Sequence, residues 1–132
     1  MLACPTKSIG LKVHDDDDDE LVKRAINIFP AEINPDRIPN VYHCGYHSAE
    51  TFGATSYFIK SNHTNVNVMI DVPRFDNNLA NTIEKLGGID FMILTHRDNI
   101  GFHKEWKERF PALKRIMHRY VCMSICLYCM TI

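Results

Sequence analysis

The chain has 132 residues, 45% of them hydrophobic, 10% aromatic and 23% charged, with a formal net charge of −1. That is the composition of one globular domain. It offers no basic stripe for nucleic acid and no apolar run of the roughly 18 residues a membrane span needs. The five cysteines, Cys4, Cys44, Cys122, Cys126 and Cys129, are odd in number and three of them crowd the C-terminus. This is not the spacing of a secreted disulfide framework, so free thiols are expected and the sequon Asn62-His63-Thr64 carries little weight. The first residues, "MLACPTKSIG", contain neither a secretory h-region nor a visible transit segment.

Residues 1–39 read as poor in regular structure. The run "HDDDDDE", His14 to Glu20, repels itself and reads as solvated linker. After it, "DELVKRAINIF" repeats Leu21, Val22, Ala25, Ile26 and Phe29 near the 3.6-residue period, which predicts a short helix. "NVYHC", "TSYFIK" (55–60) and "VNVMID" (66–71) have strand composition, the last two joined as a hairpin by "SNHTN". Asp76 is placed to cap a helix whose Leu79, Ile83 and Leu86 share a face, and Gly87 suits the left-handed position after it. "IDFMILT" (89–95) is the nearly continuous apolar run of a buried parallel strand. "HKEWKERF" predicts a short helix stopped by Pro111, and "LKRIMH" a final strand.

From residue 40 the order is therefore β-β-β-α-β-α-β. The fold class is α/β: a mixed sheet whose last strands form two βαβ units. Open sheets of this kind bind ligands beyond the carboxyl ends of their parallel strands. That edge carries His96, Asp98 and Asn99, then His103 at the next helix and His118 at the end of the last strand. Imidazole and carboxylate together suit zinc, iron or manganese, and three protein ligands plus water are the pattern of a catalytic zinc site. The competing reading is a polar loop in which Asp98 or Asn99 caps the helix. His43, Cys44 and His47 also carry ligand chemistry, but neighbours on a strand point oppositely, so a structural role is expected for them. "LGGI" lacks the spacing of a dinucleotide loop.

"RIPNVYHCGYHSAETFGATSYFI", "VMIDVPR", "LGGIDFMILTHRDNIGFH" and "FPALKRIMH" occur in an order that resembles the metallo-β-lactamase superfamily. They are closest to its plant and algal plastid branch, which carries an N-terminal ferredoxin-like domain. The resemblance spans about residues 37–119. It implies the first half of an αβ/βα sandwich and a metal-dependent hydrolase acting on an ester or thioester-like bond of a small molecule. It also implies a chloroplast location, although no targeting segment is visible. The ligands it implies are His96, Asp98 and His103, with zinc or iron as the metal. Asp71 resembles the aspartate that orients the loop from behind, with Asn99 beside it; His118 is a more distant contact.

The departures are specific. Phe102 stands where the branch has an aspartate ligand, and Asn99 replaces a carboxylate with a weaker neutral oxygen. Residues 1–36 resemble the end of the ferredoxin-like domain plus a linker. Cys4-Pro5 matches the close of its cluster motif, but one thiolate cannot hold an iron–sulfur cluster, so none is expected. Residues 120–132 form an apolar tail unlike the family, and its Cys122-x3-Cys126-x2-Cys129 spacing reads as chance rather than as a radical S-adenosylmethionine cluster motif. The expectation is a truncated form: a catalytically incompetent fragment or binding module. Its uncovered sheet face would favour self-association or aggregation.

Overall fold

The structure is a computed structural model that describes residues 28–45, 55–95 and 100–118. Six strands form one mixed sheet in sequence order: β1 (Ala31–Asn34), β2 (Ile38–His43), β3 (Tyr57–Ile59), β4 (Val68–Ile70), β5 (Phe91–Leu94) and β6 (Lys114–Met117). β1 to β4 are mutually antiparallel, and β4, β5 and β6 run parallel. Helix α1 (Asn77–Lys85) connects β4 to β5, and α2 (His103–Arg109) connects β5 to β6. The two βαβ units share β5, as the sequence predicts.

β1 was not expected. Its four residues lie between Pro30 and Pro35, too few to display an alternation. They are recruited as an edge by pairing with β2 across the turn Asn34-Pro35-Asp36-Arg37, where the Arg37 N–H donates to the Asn34 carbonyl at 3.2 Å. Pro35 presets the second position of such a turn. The sheet therefore begins at Ala31, before the boundary at residue 37 that the resemblance suggests. The predicted helix over 19–29, the cysteine-bearing tail and Cys4 lie outside the described residues, apart from Ile28 and Phe29.

α1 is built as its sequence prescribes. Asp76, extended at φ −143°, accepts from the N–H groups of Asn78 and Leu79 at 2.8 and 3.1 Å. At the other end Gly88 N–H donates to Ile83 O and Gly87 N–H to Glu84 O, both at 3.0 Å. This closed pair of bonds is the Schellman arrangement, and it needs the left-handed backbone found at Gly87, φ 118°. A side chain at Gly87 would also strike the Asn67 amide nitrogen, 2.9 Å from where its Cβ would sit.

Both helices cover the same face. Phe58, Met69, Met92 and Leu94 point from the strands into one buried cluster with Leu79, Ala80 and Ile83 of α1 and Trp106 of α2. Trp106 is its centre. Its Nε1–H donates to Pro73 O at 3.0 Å, Phe75 meets its ring edge-on at 5.2 Å, and Phe110 stacks on it at 6.0 Å. One side chain thus ties α2 to the segment that leaves β4. Glu84 and Arg109 join the two helices outside by a bidentate pair at 2.6 and 3.0 Å. That contact is solvent-exposed and screened, so it adds little to stability.

Replacing Trp106 by Phe keeps most of the buried ring but leaves Pro73 O without its donor. The expected loss is about 1–3 kcal/mol in a denaturant melt, against about 3–5 kcal/mol for Trp106→Ala. An unchanged melt for Trp106→Phe would show that the Pro73 bond is immaterial.

Candidate functional site

The carboxyl edge of β4, β5 and β6 is organised from below by Asp71, the residue after β4. Its N–H donates to Ile93 O at 2.8 Å, continuing the parallel ladder by one rung. Its backbone then turns left-handed, φ 58°, which aspartate tolerates better than most side chains. The turn aims the buried carboxylate across to Thr95, the first residue beyond β5. Oδ1 accepts from Thr95 N–H at 2.8 Å, and the Thr95 hydroxyl lies 2.8 Å from both Oδ1 and Oδ2. A hydroxyl has one proton, so it is shared between the two oxygens. This clasp fixes the backbone from which His96, Asp98 and Asn99 follow, although those three residues lie outside the described ones. Asp71, expected behind the loop, bonds the residue that precedes it. Thr95, its partner, was missed; a polar residue closing an apolar strand beside a strand-end aspartate was the available signal.

The loop returns at Phe102, which caps α2 in a left-handed conformation, φ 43°, with no side-chain hydrogen bond to the helix start. Neither Asp98 nor Asn99 therefore occupies the cap position of α2. The Phe102 ring packs against the core cluster, an apolar contact where the resemblance expects a carboxylate.

His103 opens α2 and is buried, 8% exposed. Its Nδ1 lies 2.7 Å from Nη1 of Arg115 on β6. Arginine has only donors, so Nδ1 must accept, and the neutral ring carries its proton on Nε2. Burial, first, and then the cations of Arg115 and Lys104 push the His103 pKa below its ordinary value, with Glu105 opposing. The ring is held neutral and in one tautomer. A metal-ligating histidine has the opposite arrangement, donating from its second nitrogen to an acceptor behind it. Arg115 was not singled out from the sequence. It sits twelve residues from His103, and the contact depends on which side of β6 it occupies.

His118 follows β6 at the same edge and is exposed. Among the described residues no three His, Cys, Asp or Glu side chains converge as a metal-binding group. His43 and Cys44 point to opposite sides as expected: His43 meets Tyr57 at 5.9 Å between ring centroids, while Cys44 is fully buried and its thiol pKa is pushed up to about 12 by burial. No helix among the described residues is long and apolar enough to cross a membrane. The fold and this edge define an α/β domain with a loop-bearing carboxyl edge. No known protein-family model matches the chain, and no curated protein compared with it matches either.

Asp71→Ala strips the Thr95 N–H and hydroxyl of their acceptor and is expected to cost about 1–3 kcal/mol. Asp71→Asn retains one acceptor oxygen and suits the left-handed backbone, so it should cost less. Thermal melts of both variants check this, and an unchanged Asp71→Ala melt would remove the clasp from the account.

Proposed function

We propose that this chain is a metallo-β-lactamase-fold module that keeps the metal-loop architecture but not a competent hydrolase centre, and so acts as a binding module. The reading rests on the resemblance of residues 37–119. The single observation that carries its negative half is the Arg115 guanidinium seated on His103 Nδ1. That contact places the ring proton on Nε2, the one nitrogen left to face a ligand. The residues around the loop thus do not fit a bound metal as they stand. Phe102 adds to the misfit, since a phenyl ring has no donor to give.

His96, Asp98 and His103 are the side chains a zinc or iron ion would meet, with Asp71 and Asn99 behind them and His118 at the rim. In a competent relative the ion would supply a hydroxide for attack on an ester or thioester carbonyl. Here the chain's own groups do something simpler. Asp71 holds the loop start, Phe102 packs the loop end, and Arg115 keeps His103 neutral. A chloroplast setting and a small-molecule ligand belong to the same resemblance.

The test is metal content together with turnover. The purified full chain, incubated with zinc or with ferrous iron and desalted, should retain far less than one equivalent and should not hydrolyse a generic thioester. Phe102→Asp restores a carboxylate at a left-handed position that aspartate accepts. Combined with Arg115→Gln, it should raise retained metal by about tenfold or more, in the range over which groups behind a ligand set tune affinity. One full equivalent of metal in the unmodified chain, with thioester turnover abolished by His96→Ala, would overturn the proposal.

A further inference from the structure

The row Phe58, Met69, Met92 runs through the buried cluster and ends, on β6, in Arg115. Arg115 therefore stands on the side of the sheet that α1 and α2 cover. From there it reaches the first residue of α2, placing Nη1 2.7 Å from His103 Nδ1. A guanidinium has several N–H donors, and this contact uses one of them. Among the described residues no carboxylate pairs with Arg115. Asp71, the buried carboxylate of the same sheet edge, is engaged by Thr95. The cations that act on the His103 ring are Arg115 and Lys104, and the acid that opposes them is the exposed Glu105.

The imidazole passes this charge on. With Nδ1 filled, its proton is on Nε2. Among the described residues no side chain or backbone oxygen accepts from Nε2–H. The buried polar side-chain atom without a partner is Ser56 Oγ, not this nitrogen. A donor feeding Nδ1 draws electron density from the ring, so the two hydrogen bonds of a chain Arg–imidazole–acceptor strengthen each other. An acceptor on Nε2–H gains most when it is negatively charged, because hydrogen bonds to ionised groups are the strong ones. A metal cation would need the reverse: a lone pair on the ring and negative charge around it.

We propose that His103 Nε2–H, backed by Arg115, binds an anionic oxygen, of a carboxylate or a phosphate, at this edge of the sheet. His103 makes the contact. Arg115 is a positioning residue: it holds the tautomer and brings the positive charge. This rests on the reading of the edge as a binding site without a metal, and it supplies the class of ligand.

The full chain, with isotope-labelled histidine, is titrated with sodium phosphate and separately with sodium acetate, at neutral pH and with ionic strength held constant by chloride. A saturable shift of the His103 Nε2–H resonance is expected, with Nδ1 remaining an acceptor. The anion that saturates at the lower concentration assigns the ligand to carboxylates or to phosphates. His103→Phe keeps a ring and removes the donor, and should weaken binding about tenfold or more. Arg115→Met should weaken it about tenfold and let the His103 nitrogens move toward a mixture of tautomers. Arg115→Lys restores a donor and a charge and should recover most of the affinity. The two Arg115 variants, on an exposed strand, carry the test if His103→Phe does not fold. No saturable shift with either anion would overturn the proposal and leave the metal-free reading standing. Unchanged affinity in Arg115→Met would overturn it as well. One equivalent of zinc bound through His103 would overturn both.

Discussion

Two parallel strands, β4 and β5, end one residue apart in their ladder, and the polar groups left at that step are closed by Asp71 and Thr95. The buried carboxylate satisfies a backbone N–H and a hydroxyl in the place where a strand would otherwise end with unpaired donors. The loop after β5 therefore leaves the sheet from a fixed point. α2 is fixed at its other end by Trp106, whose indole reaches back to Pro73, two residues past Asp71. The loop is thus spanned between two contacts that both originate in residues 71–73.

That arrangement separates architecture from chemistry. The loop is held at both ends, and the side chains at its far end are committed to the core and to β6. Phe102 packs its ring on the core, and His103 Nδ1 accepts a hydrogen bond from Arg115 Nη1. The opposite end of β5 carries a different kind of polar cluster. There Asn67 N–H donates to Asp90 Oδ2 at 2.7 Å and its amide to Gly88 O at 3.0 Å. This cluster locks the α1–β5 junction and serves stability, while the Asp71 edge serves position.

Much of the fold could be read from residue order because each element had its own local signal. Asp76 and Gly87 bracket α1, the strand composition of 66–71 ends in Asp71, and the uninterrupted 91–94 run marks a strand buried on one face and half-buried on the other. β1 could not be read so. "AEIN" is strand-forming only through its pairing with β2, a tertiary effect without a local pattern. The site was legible as a set of residue types but not as an arrangement. Asp71 was readable because it ends a strand. The Thr95 clasp and the Arg115 contact were not, since parallel register brings 71 to 95 and the seating of α2 beside β6 brings 103 to 115.

The most direct measurement is the protonation pattern of the His103 ring, read from long-range proton–nitrogen NMR correlations before and after adding zinc to the full chain. The account predicts a neutral ring with its proton on Nε2 and Nδ1 accepting, and no change in either nitrogen when zinc is added. A shift of either His103 nitrogen to the metal-bound range would contradict it, because the ring would then be a ligand and the loop a working metal site.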